Sequence, residues 1–247
     1  MKKLIILFAT ALVILSSCSN IKFSDFREKL NSNKPIETRN ELLNAFNSIS
    51  IRLPYDIEVV QGNKSTIAIK GPANVIKDIS VDIDEGKLTL EQNRSFNFTW
   101  NSKVEILITT PSLKSLNLTG SGDVNILMKE KQPAMNLELS GSGDVVCNNL
   151  VCNNISANVS GSGDLVCSNL KCINIDARVN GSGDALFEGT ANNGKFEVHG
   201  SGDINSKRMS INVLNLRIGG SGDITYNSPN TTKDVTGSGS CTNYYKK

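Results

Sequence analysis

Apolar and polar residues alternate along most of this chain, and in the C-terminal half the alternation is locked to a recurring tetrapeptide. Gly-Ser-Gly-Asp stands at residues 120–123, 141–144, 161–164, 181–184, 200–203 and 220–223, and a seventh copy at 237–240 ends in serine. By subtraction of their numbers, the first glycines are 21, 20, 20, 19, 20 and 17 residues apart. Counting that glycine as position one, position five holds Val124, Val145, Leu165, Ala185, Ile204 and Ile224. Position seven holds Ile126, Cys147, Cys167, Phe187, Ser206 and Tyr226. Four and two residues before the next copy stand Leu137 and Leu139, Ala157 and Val159, Ala177 and Val179, Phe196 and Val198, Leu216 and Ile218. Each repeat therefore predicts one strand before the tetrapeptide and one after it, with inward residues at period two. Leu150, Leu170 and Met209 mark a third, shorter face.

A fixed period near twenty means that each repeat is one unit stacked on the next. Twenty residues at ~3.3 Å give a perimeter of roughly 66 Å, which fits one coil of a three-faced parallel β-helix. No 3.6-residue pattern supports helical repeats, and the leucine-asparagine signature of leucine-rich repeats is absent. The glycines belong at a corner, where they let successive coils approach.

Residues 45–110 lack the tetrapeptide but keep the alternation. Ile49, Ile51 and Leu53 lead into Ile57 and Val59; residues 61–64 read as a turn before Ile67 and Ile69. Val81 and Ile83, Asp84-Glu85-Gly86-Lys87, then Leu88 and Leu90 form a hairpin signal, and Val104, Ile106 and Ile108 alternate again. The fold class is thus all-β: a β-solenoid over residues 111–247, with irregular coils or a cap over 45–110, the two forming one continuous domain. A solenoid needs an atypical end to hide its apolar column.

Upstream lies a targeting segment. Lys2 and Lys3 precede an apolar run from Leu4 to Leu15, too short to span a bilayer and suited to a signal peptide over residues 1–17. Leu15-Ser16-Ser17-Cys18 resembles a lipobox, which makes Cys18 the acylated residue and the membrane the first partner. Residues 18–44 read as a polar tether. The expected location is the cell envelope, lipid-anchored at the outer membrane.

Charge narrows the partners. The 247 residues carry 26 Lys+Arg against 24 Asp+Glu, and loss of Lys2 and Lys3 with the leader brings the balance to neutrality. No basic stripe favours nucleic acid and no polybasic patch favours anionic lipid. Asp123, Asp144, Asp164, Asp184, Asp203 and Asp223 fall in one ladder, ~4.8 Å apart. Carboxylates at that spacing repel by about 1 kcal/mol in water, so something must offset them. Hydrogen bonds from backbone N–H groups at each aspartate's own corner would do so; calcium, coordinated by carboxylates and carbonyls, is the other reading.

Cys147 and Cys152 recur as Cys167 and Cys172, so both pairs stack. Disulfides Cys147–Cys167 and Cys152–Cys172 are within reach in an exported protein. Small apolar filling of the core and a four-cysteine zinc site are the alternatives. Asn149 with Asn169 and Asn154 with Asn174 predict amide ladders at other corners. Phe96, Phe98 and Trp100 share one strand face, either as packing in the cap or as a platform for sugar rings. The sole histidine, His199, reads as a solvated corner residue. No phosphate loop, dinucleotide fingerprint or nucleophile elbow exists. Acids that form the repeat itself, rather than one site interrupting it, point to a structural role, so no catalytic residue is assigned.

The repeats, the strand-rich segment before them and the run from Val104 through Thr110-Pro111 to Leu116 together resemble the auto-transporter adhesin, head GIN domain family of bacterial lipoproteins, from about Phe46 to Tyr226. That resemblance implies a non-enzymatic envelope β-solenoid with an adhesin-like or scaffold role and a glycan or cell-surface ligand. A carbohydrate-binding or carbohydrate-cleaving β-helix is the rival reading. Self-association through an exposed end strand is a third, since Tyr244, Tyr245 and the truncated last repeat make a thin cap.

Overall fold

The computed structural model describes residues 35–93 and 103–246. Cys18 and the aromatic triplet Phe96, Phe98 and Trp100 lie outside the described residues. Period-two segments become strands throughout. In the N-terminal portion these are β1 (Ile36–Leu42), β2 (Ser48–Arg52), β3 (Asp56–Gln61), β4 (Thr66–Pro72), β5 (Ile79–Asp84), β6 (Lys87–Gln92) and β7 (Glu105–Thr110), with one short helix, α1 (Ala73–Ile76). Then follow β8 (Ser115–Leu118), β9 (Val124–Leu127), β10 (Gln132–Leu139), β11 (Val145–Asn148), β12 (Cys152–Val159), β13 (Leu165–Val179), β14 (Ala185–Val198), β15 (Ile204–Ile218), β16 (Ile224–Asn227), β17 (Asn230–Val235) and β18 (Cys241–Asn243). They wind about six turns of a β-solenoid with a less regular N-terminal portion.

Residues one repeat apart stand directly over one another. On the face preceding each tetrapeptide, Leu116, Leu137, Ala157, Ala177, Phe196 and Leu216 are in parallel register. On the face following it, Ile57, Val124, Val145, Leu165, Ala185, Ile204 and Ile224 do the same. A short third face pairs Val151 with Lys171, Leu170 with Gly189 and Gly189 with Met209. All the apolar members of the first two columns are buried, and they form a single core. Volume is balanced within a rung. Phe187 and Phe196 stack across the column with centroids 5.9 Å apart and planes 17° from parallel, and the small Ala185 and Ala191 of that rung leave them room.

The corner between the second and third faces needs a left-handed residue. Asn149 (φ 60°) and Asn169 (φ 56°) occupy it in successive rungs, a residue type that tolerates positive φ; the next rung is one residue shorter here and places Gly189 (φ 132°) over Leu170. Asn169 donates from Nδ2 to Asn149 Oδ1 at 3.3 Å, so the expected amide ladder forms here.

The N-terminal portion departs from the coil pattern in two ways. β5 and β6 form an antiparallel hairpin through Glu85 and Gly86, both at positive φ (47° and 75°), as a two-residue type I′ turn requires. β3 and β4 do not form a hairpin, although residues 61–64 do turn the chain. β7 lies between them, parallel to β3 and antiparallel to β4. Its Ile106 and Ile108 stand in register with Ile57 and Val59 on one side and with Ile69 and Ile67 on the other, so inserting β7 serves two apolar rows at once. The connection steps over the end of β7 at Gly62, where a Cβ would meet Thr109 Cγ2 at 2.4 Å.

Both ends are closed by charge. Residues 36–42 belong to β1 rather than to the tether expected over 18–44, and β1 is antiparallel to β4. Polar composition hid this strand, because Arg39 and Glu41 stand over Ile69 and Ile67. The Arg39 guanidinium pairs with Glu41 and donates to the carbonyls of Ile79 (2.7 Å) and Ile76 (3.3 Å). At the other end Thr231, Lys233 and Val235 of β17 cover Leu214, Leu216 and Ile218. Lys233 Nζ lies 5.2 Å from the centre of the Tyr226 ring, a cation–π contact over the last apolar layer. Inward-pointing charge on a terminal strand discourages pairing with another chain, which opposes the self-association expected from the thin cap of Tyr244, Tyr245 and the truncated last repeat.

Candidate functional site

Two surface features run along the solenoid: a ridge at the tetrapeptide corner and a groove at the corner where the third face meets the first. The ridge is built by close backbone approach. A Cβ on Gly141, Gly161, Gly181, Gly200 or Gly220 would lie 2.0–2.1 Å from the carbonyl oxygen of the first glycine one rung earlier. The third residue is equally constrained, at 2.0–2.2 Å for Gly143, Gly163, Gly183, Gly202 and Gly222. Glycine is therefore a steric demand wherever a rung stacks on a preceding one. The serines between them, from Ser121 to Ser238, are exposed.

Sequence reasoning missed the first rung of this ridge. Gly120 and Gly122 rest on Leu53 and Tyr55, so Leu53-Pro54-Tyr55-Asp56 takes the place of the tetrapeptide. The available signal was Asp56 followed by Ile57 and Val59, matching positions four, five and seven. Leu53 and Tyr55 open the stack with their Cβ atoms directed away from the second rung, and both are buried.

The aspartates form one continuous ladder, but the hydrogen bonds do not close within each corner as the Asx-type reading expects. The Asp144 N–H donates to Asp123 Oδ1 at 2.9 Å, and the Asp164, Asp184 and Asp203 N–H groups each donate to the preceding aspartate at 2.8 Å. Asp223 continues to Asp203, and Ser240 to Asp223, both at 2.7 Å. Asp56 accepts from Asp123 at 3.2 Å. Meanwhile each aspartate carbonyl accepts from the residue after the aspartate one rung earlier, for example Val145 N–H to Asp164 O at 2.9 Å. The turn leaves each aspartate N–H facing along the solenoid axis, and the carboxylate of the preceding rung supplies its acceptor. A hydrogen bond to a charged group contributes ~1.5–3 kcal/mol, which outweighs the ~1 kcal/mol repulsion between neighbouring carboxylates. Among the described residues no three His, Cys, Asp or Glu side chains converge on a metal-sized point. The calcium reading gains no geometry from the ladder.

The cysteines fill the interior. Cys147 stands over Cys167, and both are fully buried. Cys152 sits over Cys172, flanked by the pairs Val151–Lys171 and Asn154–Asn174. All five described cysteines are free thiols, so neither bridge that the spacing allows is present. A hydrogen bond with Cys147, then burial, holds the Cys167 thiol well above its ordinary pKa. Burial, aided by neighbouring thiols, pushes Cys152 up to about 11 and Cys172 up to about 12. Protonated at neutral pH, these sulfurs behave as apolar filler.

His199 lies at an exposed corner, its Nε2 4.0 Å from Glu197 Oε2. Lys195 and Arg178 donate to that glutamate and hold its carboxyl down at about 2. A carboxyl ionised so firmly is a poor proton donor at neutral pH.

The groove crosses the rungs, lies open to solvent and has a volume of about 580 Å³. One wall is an amide ladder. Asn174 donates from Nδ2 to Asn154 Oδ1 at 2.7 Å, and Asn193 donates to Asn174 Oδ1 at 2.9 Å. The buried side chains of Met135, Ile155 and Ile175 lie beneath, and Gly194 continues their row without a side chain. The facing wall carries Ser156, Asp176 and Lys195 in register. Asp176 Oδ2 accepts from Arg178 at 3.0 Å, whereas Asp176 Oδ1 is enclosed and has no hydrogen-bond partner.

The same fold occurs in solved structures. A protein described as a putative adhesin from Bacteroides fragilis superposes with a TM-score of 0.76 at 24% identity, over 85% of this chain and 98% of that one. One described as a putative lipid binding protein from Parabacteroides distasonis gives 0.72 at 21% identity, over 87% and 96%. A putative adhesin from Parabacteroides merdae gives 0.72 at 20%, over 85% and 97%. No match was found among curated proteins. The repeat, the rung-on-rung ladder and the N-terminal portion from β2 onward all fall within residues 45–247, the span matched by the family described as "Putative auto-transporter adhesin, head GIN domain", and the chain belongs to that family.

Proposed function

We propose that this is a non-enzymatic envelope protein, anchored by acylated Cys18 at the outer membrane, whose solenoid makes adhesin-like contacts through repeated surface rows. The observation that carries the reading is the ridge: from Gly120 to Asp223 an exposed serine and a hydrogen-bonded aspartate recur in each of six rungs. Repeated identical groups multiply weak contacts by raising the effective concentration of each successive one. The family's adhesin description supports a role at the cell surface or envelope, and the leader followed by Cys18 supports the anchor.

Two measurements test this. Metabolic labelling with an alkyne fatty acid should tag the wild type and not the Cys18→Ala variant; labelling of both would remove the anchor. The full-length protein in detergent micelles should bind immobilised glycan, matrix or cell-surface preparations without releasing reducing ends. Failure to bind any of them would end the adhesive part, and sugar release would make the protein an enzyme.

A further inference from the structure

We infer that the open edge of β5 is a docking site for an extended segment of another protein, one in which apolar residues alternate with lysine or arginine. The site is separate from the ridge, so it goes beyond the adhesin-like reading. Side-chain character sets β5 apart from the other terminal strands. β1 directs Arg39 and Glu41 over the core, β17 directs Lys233, and β18 places Asn243 over Tyr226. β5 directs only apolar residues there. Val81 and Ile83 stand opposite the fully buried Leu90 and Leu88 and are themselves only half-buried. Among the described residues β6 is the sole strand that pairs with β5. An edge that lacks inward charge is open to strand addition.

The backbone offers the bonds. The Asn93 N–H donates to Asp78 O at 2.8 Å, which fixes the alternation of the antiparallel pair. Ser80, Asp82 and Asp84 exchange bonds with β6, and the N–H and C=O groups of Ile79, Val81 and Ile83 point to the open side. Arg39 already donates to Ile79 O at 2.7 Å. The groups of Val81 and Ile83 remain, a donor and an acceptor each, spaced at every second residue as a polypeptide backbone requires. Side chains then choose the partner. Its inward positions would extend the row of Val81 and Ile83, which calls for apolar residues. Its outward positions would lie beside Asp82 and Asp84, both exposed, with exposed Glu85 next in the chain. Lys87, opposite Asp84, leaves this rim negative, which calls for a base. A second copy is a poor occupant, because antiparallel pairing of two β5 edges would set the aspartate rows against each other.

The test uses the full-length protein in micelles and a fluorescent hexapeptide with capped ends in which valine and lysine alternate. The controls are a valine–glutamate hexapeptide and a valine–lysine hexapeptide of the same composition arranged in two blocks. Anisotropy should show saturable binding of the alternating basic peptide, at least tenfold tighter than either control. Val81→Pro removes one donor on the open side and leaves the bonds to β6 in place, a substitution that edge strands accept. It should weaken binding at least tenfold with a melting temperature near wild type. Asp82→Lys/Asp84→Lys should transfer the preference to the acidic peptide. If the proline variant does not fold, hydrogen exchange on the wild type takes its place: the bound peptide should slow the Val81 and Ile83 amides and leave those of Ser80 and Asp82, already bonded, unchanged. No binding of the alternating basic peptide, equal binding of the block peptide, an unreversed preference in the charge variant, unchanged binding by a folded proline variant, or exchange at Val81 and Ile83 that the peptide does not slow would each overturn the inference. None of these outcomes bears on contacts made by the ridge, which the glycan and cell-surface assays read separately.

Discussion

Replacing Gly161 with alanine tests the steric origin of the repeat. The new Cβ would sit 2.0 Å from Gly141 O, whereas carbon–oxygen contacts ordinarily begin near ~3.3 Å. The two rungs must part locally by about 1 Å or more. Three backbone bonds hold them at that point: Gly161 N–H to Leu139 O at 3.3 Å, and the Ser162 and Gly163 N–H groups to Gly141 O at 3.1 and 3.4 Å. Parting carries all three beyond hydrogen-bond reach. At ~1 kcal/mol net per bond the loss is about 3 kcal/mol, or ~6–12 °C in melting temperature for a chain of this size. Thermal and urea melts followed by circular dichroism would measure it. Two variants calibrate the result. Gly86→Ala has open space around its Cβ and only its φ of +75° to strain, so it should cost ~1–2 kcal/mol. Gly239→Ala meets the same 2.0 Å contact, but among the described residues no rung stacks on this one and it can swing outward, so its cost should fall between the two. A Gly161→Ala melt within two degrees or so of wild type would refute close backbone approach as the reason for glycine.

Acid stability should depend on Glu197. Its folded pKa, about 2, lies below the ordinary value of 4.5, so its contribution is complete above the unfolded value and is lost as pH falls from about 4.5 towards 2. Glu197→Gln should flatten that limb in melts taken across this range; an unchanged slope would remove Glu197 from the account. The interior thiols should react slowly with a disulfide reagent at pH 8 in the native protein and rapidly once it is unfolded without reductant. An unfolded chain in which Cys241 reacts but Cys147, Cys152, Cys167 and Cys172 do not would mean the bridges had formed. Lys233→Leu should extend the apolar column to the open end and promote self-association, visible by light scattering; a strictly monomeric variant would show that the lysine does not guard that end.

The solenoid was legible because its steric demands recur. Glycine at two corner positions, aspartate at a third and alternating apolar residues are imposed by each rung on the next, so they repeat in the sequence at the rung period. Glu85-Gly86 was legible for a local reason, the positive φ of its turn. Leu53-Pro54-Tyr55-Asp56 escaped because the opening rung has no preceding glycine corner to clear, so it carries ordinary side chains. β1 escaped because Arg39 and Glu41 occupy inward positions where an apolar pair would have announced a strand. The insertion of β7 between β3 and β4 follows from pairing between distant segments, which no local pattern encodes. The Asn154–Asn174 ladder could be read from spacing, but the groove could not: its walls come from different columns, and Asn193 joins the ladder only through the 19-residue step of that rung. The functional side was less legible still, because a surface of repeated small contacts has no signature residue.

The guarding of both ends by Arg39, Glu41 and Lys233 has a consequence for how such a molecule changes over time. An internal rung meets only neighbours like itself, so one copy can be duplicated or deleted while each terminus keeps its own specialised closure. Size then varies in quanta of one rung, ~4.8 Å each, and every duplication brings its own serine and aspartate already aligned with the rest.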